Sequence, residues 1–153
     1  MDHEARFTAD KIARRLALIA PLVVQDRQPM APLSLEVLPD ARAEPGQGHD
    51  QGPVAWNSYW AGQDTHFVLR GAVSVPPGWD CPALDLPLGV AGDIFTHPEA
   101  LVRVAGRILG SADRYHHHIG VPLDLGPGPH DVMLQGWTGL AGWPPDPADP
   151  TRL

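Results

Sequence analysis

The chain has 153 residues, long enough for one domain with its own hydrophobic core and too short for a large hydrolase barrel with accessory modules. Its 11 basic against 18 acidic residues, a formal net charge of -7, argue against a surface that tracks phosphates, so nucleic acid is not an expected partner. A single cysteine, Cys81, excludes an internal disulfide framework and a Cys-rich zinc site, and its setting in Gly78-Trp79-Asp80-Cys81-Pro82 reads as a loop.

The N-terminus, Met1-Asp2-His3-Glu4, is acidic, and the apolar run Leu16 to Val24 is short, is broken by Pro21 and is followed by no small-residue cleavage pattern. Neither a signal peptide nor a membrane span is expected, which makes the cytoplasm the default compartment. Thr8 is placed to cap a helix over about residues 9–20, in which Ile12, Leu16 and Ile19 recur at spacings of four and three while Arg14 and Arg15 point elsewhere. That stripe is read as packing onto the chain's own sheet, with docking on a partner domain as the alternative. Residues 1–38 form this helix and its extension. Residues 39–53 are rich in Pro, Gly and Gln without apolar periodicity and read as a linker.

From residue 54 the pattern changes to short β-like runs separated by turn residues. The expected strands are His66 to Val75, Ala83 to Leu88, Ala100 to Val104, His116 to Leu123 and His130 to Gln135. Pro76-Pro77-Gly78, Gly106-Arg107 and Gly126-Pro127-Gly128-Pro129 supply the breaks. No internal repeat and no strand-helix alternation is present, so the expected fold is mostly β: an antiparallel jelly-roll sandwich, galactose-binding-like, with one N-terminal helix. The sandwich occupies residues 54–139, and the Pro- and Asp-rich segment 140–153 follows as a tail unable to form a central strand.

His116, His117 and His118 are the most metal-like cluster. On a strand His116 and His118 share a face, with Asp113 or His130 as further donors, but a structural zinc site needs about four ligands and a catalytic one about three. The preferred reading is therefore histidines at a strand start, one ring packed and one solvated. A cupin-type site needs a glutamate soon after the paired histidines, and here Ile119-Gly120-Val121-Pro122 follow, with Glu99 upstream. Trp56, Tyr59, Trp60, Trp79, Trp137 and Trp143 supply aromatic faces for stacking on sugar rings, with Asn57, Gln63, Asp64, Asp93 and Arg114 as polar neighbours. Trp56 and Trp137 are read as core and Trp143 as exposed. Asp64, Asp80, Asp85, Asp93, Glu99, Asp113 and Asp124 are candidate carboxylates, but a retaining glycosidase needs two about 5 Å apart, which spacing along a chain does not specify. No Gly-x-Ser-x-Gly elbow, phosphate-binding Gly-rich loop or Cys/His nucleophile pair is present.

One stretch, Trp56-Asn57-Ser58-Tyr59-Trp60-Ala61-Gly62-Gln63-Asp64-Thr65-His66-Phe67-Val68-Leu69-Arg70, carries a resemblance. With Leu86-Pro87-Leu88-Gly89, Gly92-Asp93-Ile94-Phe95-Thr96-His97-Pro98-Glu99-Ala100-Leu101-Val102-Arg103-Val104, Asp113-Arg114-Tyr115-His116-His117 and Gly136-Trp137-Thr138-Gly139, it resembles the N-terminal β-sandwich region of glycoside hydrolase family 38 α-mannosidases. Those enzymes are zinc-dependent and retaining, with nucleophile and zinc ligands in a separate catalytic domain that begins its metal site with a His-x-His-x-Asp motif. This sequence has no such motif, so the resemblance implies a non-catalytic piece of such an enzyme, truncated or split from its catalytic domain, with no cofactor of its own and zinc belonging to the full-length enzyme. Its implied partners are a mannose-containing glycan or the catalytic domain, with no nucleic acid and no membrane, and homo-oligomerisation left open. The implied sugar-binding residues are Trp60, Asp64, Asp113, Arg114 and His116. The metal expectation is none, His116 and His118 being the weak candidates. Two alternatives from other classes stand beside this reading: a free-standing carbohydrate-binding module using Trp60 and Trp143, and a small metal-dependent sandwich enzyme centred on His116 and His118.

Overall fold

The computed structural model describes residues 3–56, 58–89, 97–126, 128–139 and 151–152. The described residues are mostly β with one α-helix, α1 (His3–Val23). The strands are β1 (Ser34–Leu38), β2 (His49–Pro53), β3 (Tyr59–Ala61), β4 (His66–Ser74), β5 (Ala83–Asp85), β6 (Glu99–Val104), β7 (Arg107–Ala112), β8 (His118–Gly120), β9 (Pro129–Trp137) and β10 (Thr151–Arg152). Six of them form one antiparallel sheet in the order β2-β1-β4-β9-β6-β7, while β5 pairs with β8 and β3 with β10.

The long pair β4 and β9 is the spine of the sheet, in register from His66 opposite Trp137 to Ser74 opposite Pro129. Period-two alternation divides its residues between two faces. Phe67, Leu69, Val102, Val104, Val132 and Leu134 turn inward and share one core with Leu84, Leu86, Leu88, Ile119 and Val121 from the β5–β8 layer. Each such side chain withdrawn from water contributes roughly 1.5–3 kcal/mol. Trp60 closes the core edge-on against Phe67, with ring centroids 4.7 Å apart. On the opposite face Val68, Leu38, Ala43 and Met133 form a smaller apolar cluster beneath the loop that joins β1 to β2.

Several expectations need correcting. The segment 39–53 carries β2, whose His49-Asp50-Gln51-Gly52-Pro53 joins the sheet edge through backbone pairing with β1. Gly106-Arg107 does not end the β structure: Ala105 (φ 49°) and Gly106 (φ 76°) form a two-residue hairpin turn into β7, the positive φ pair that matches strand twist. The helix starts at His3, upstream of Thr8, and extends past Pro21 to Val23. Its stripe does not pack on the sheet, since Ile12 is 53%, Leu16 59% and Ile19 53% exposed. Among the described residues the inner sheet face packs against residues of the β5–β8 layer instead. No described helix is long and apolar enough to cross a membrane. Most of 140–153 lies outside the described residues, with Thr151–Arg152 as an edge strand on β3.

Candidate functional site

Strand register assembles a groove on the outer sheet face. Leu38 lies opposite His66, His66 opposite Trp137, and Trp137 opposite Glu99, which puts one residue from each of four adjacent strands in a row. The next row on that face carries Val68, Gln135 and Leu101. Between them opens a groove of about 560 Å³ lined by Trp137, His66, Glu99, Gln135, Ser111 and Asp40, among others. The half-buried Trp137 ring stacks on His66 at 6.4 Å between centroids and 25° between planes. Glu99, Asp40, Gln135 and Ser111 bring carboxylate, amide and hydroxyl groups to the lining, a set of hydrogen-bond donors and acceptors beside an aromatic ring.

The groove end is braced by residues far apart in the chain. Trp137 donates from Nε1 to Asp64 Oδ1 at 2.8 Å, which fixes the plane of the indole. Asp64 adopts φ 49° and donates its backbone N–H to the Gly139 carbonyl at 2.7 Å. Thr65 N–H donates to the fully buried Thr138 Oγ1 at 2.9 Å, and Thr138 N–H returns to the Thr65 carbonyl at 3.0 Å. Gly136 is required by close approach, because a Cβ there would overlap the Glu99 carbonyl oxygen. At Gly139 (φ 79°) a Cβ would come within 3.0 Å of the His97 nitrogen, and His97 meets Tyr115 edge-on at 5.6 Å.

Asp113 organises the neighbouring loop. Its Oδ1 accepts from the N–H groups of Tyr115 (2.6 Å) and His116 (2.7 Å), and its Oδ2 lies 2.9 Å from His116 Nδ1. The His116 ring, followed by those two backbone donors against an opposing effect of burial, holds the Asp113 carboxyl below the usual aspartate range. Arg114 lies over the Tyr115 ring at 5.7 Å on the exposed side of the loop.

The five residues expected to bind sugar therefore separate. Asp64 supports Trp137 at the groove, whereas Asp113, Arg114 and His116 belong to the adjacent loop and do not line it. Trp60 is 8% exposed and offers no face to a ligand, and its Nε1 has no hydrogen-bond partner among the described residues. Trp137, read from sequence as core, lines the groove, while Trp143, Asp93 and Asn57 lie outside the described residues. The strand expected from His116 begins only at His118, so His116 and His118 do not share a strand face: His116 bonds Asp113, and His117 and His118 turn to Asp85. Glu99, named from sequence only among the candidate carboxylates, and His66, not singled out there, join Trp137 through cross-strand register, since neither neighbours it in sequence. No family model, curated protein or solved structure matches this chain.

Proposed function

We propose that this chain is a non-catalytic β-sandwich domain of the α-mannosidase type, whose outer sheet face forms one wall of a mannoside-binding site. The observation that carries the reading is convergence. Segments of the resemblance separated by up to 73 residues in sequence meet around Asp64, Thr65, Trp137 and Thr138 and brace a groove that presents an indole ring among hydroxyl, amide and carboxylate groups. The apolar face of a hexose packs on such a ring while its hydroxyls bond the polar lining. Two antiparallel layers around a shared core support the finer assignment to a jelly-roll, galactose-binding-like sandwich. The exposed stripe of α1 supports an assembly role against a catalytic domain.

Calorimetric titration of the chain with methyl α-mannoside tests the proposal. Saturable binding near the millimolar range, about -4 kcal/mol, is expected, weakened about tenfold or more in Trp137→Ala and unchanged in Arg114→Ala. Equal affinities for wild type and Trp137→Ala refute the groove, and robust hydrolysis of an aryl α-mannoside by the chain alone refutes the non-catalytic role.

A further inference from the structure

We propose that Asp85, His117 and His118 form a binding site for a single divalent transition-metal ion, with Zn²⁺ the best chemical fit. The site is distinct from the groove above and does not depend on the mannoside reading. Asp85 ends β5 and His118 begins β8, and the two are directly paired across the strands. The Leu86 N–H donates to the His117 carbonyl at 2.8 Å, which fixes the backbone just before β8 and holds His117 beside the pair.

One ligand atom from each residue lies within 4.8 Å of the other two. His117 Nδ1 is 2.8 Å from Asp85 Oδ1, and His118 Nε2 is 3.5 Å from the same oxygen. Bond lengths of about 2.0–2.2 Å around tetrahedral zinc put ligand atoms roughly 3.4 Å apart, so small side-chain rotations bring these three to one ion. The His118 distance is too long for a good hydrogen bond, and its nitrogen faces the carboxylate without closing on it. Two imidazoles and a carboxylate are ligands that zinc accepts in three-ligand sites with an open fourth position.

The surroundings fit that chemistry. Asp85 Oδ1 faces the histidines, while Oδ2 lies 3.7 Å from Arg27 Nη1, which leaves Oδ1 for an ion and gives the other oxygen an outer partner. Asp85 and His118 also line a groove of about 1050 Å³ shared with Trp56, Trp79 and Asp80, so the fourth position is open to water or to a small anionic or hydroxylated ligand.

The test uses the untagged 153-residue chain, metal-stripped and titrated with Co²⁺ by visible absorption, then with Zn²⁺ by calorimetry and by thermal unfolding. One ion per chain is expected, with Zn²⁺ displacing Co²⁺ and raising the melting temperature. Loss of an outer-sphere partner commonly costs 10–100-fold in affinity, so loss of a direct ligand in His117→Ala, His118→Ala or Asp85→Asn is expected to cost at least about tenfold. His116→Ala is expected to bind as wild type. Circular dichroism of each variant separates lost ligation from lost folding. Absence of saturable binding, wild-type affinity in folded His117→Ala, or an equal loss in His116→Ala overturns the site.

Discussion

Glu36→Ala is expected to unfasten the loop that roofs the outer face of the sheet. Glu36 is 9% exposed, yet its carboxylate is fully engaged: Oε1 accepts from the N–H groups of Gly46 at 2.7 Å and Gly48 at 2.8 Å, and Oε2 pairs with Arg70 at 2.9 Å. Hydrogen bonds to a charged partner contribute roughly 1.5–3 kcal/mol each, but water can replace the one at exposed Gly46, and the Arg70 side chain is 43% exposed, which screens the ion pair. The summed loss is about 2–4 kcal/mol, or a melting temperature lower by about 6–12 °C for a chain of this size. Burial opposes ionisation of Glu36, but the Gly48 donor, Arg70 and the Gly46 donor together outweigh it and hold its carboxyl below the usual glutamate range. Because the folded value is depressed, this stabilisation is complete above the ordinary glutamate pKa of about 4.3 and is lost as pH falls through the folded value. Urea melts at pH 7 and at several values down to about pH 3 measure the gap between wild type and variant. A gap under about 0.5 kcal/mol at pH 7, or one that does not narrow in acid, refutes the clamp.

Gly136→Ala places a methyl group against the Glu99 carbonyl and Ala100 in the β6–β9 pairing, so stability should fall by about 3 kcal/mol or more by denaturant melt; a loss under about 1 kcal/mol contradicts the close approach. Asp113→Asn should cost about 1 kcal/mol near neutral pH. The depressed carboxyl of Asp113 means that this cost fades below the ordinary aspartate value of about 3.9, so an unchanged difference at pH 3 contradicts the turn.

The central strands were legible because β4, β6 and β9 are apolar runs bounded by turn residues, with apolar and polar side chains partly alternating along β4, and the observed β4 and β9 fall close to the expected spans. The edge was not. β2 contains no large apolar residue and is held by the backbone of β1, and β7 was hidden behind a Gly106 that turns the chain instead of ending the pattern. Site residues were legible one by one and not as a set. Trp137 depends on Asp64 across 73 residues, and Glu99 joins them through register. His117 replaced His116 as a partner of His118 because the Asp113 turn delays the strand by two residues, a local hydrogen-bond competition that spacing alone does not reveal.

The most direct measurement is a ¹H–¹⁵N NMR titration of the chain with methyl α-mannoside, following the Trp137 indole N–H. A saturable shift of that resonance together with the Gln135 and Glu99 amides, while the Arg114 and His116 amides stay fixed, is the expected result. Binding that shifts only the Asp113–His116 loop, or no shift at Trp137 at saturating mannoside, contradicts the account.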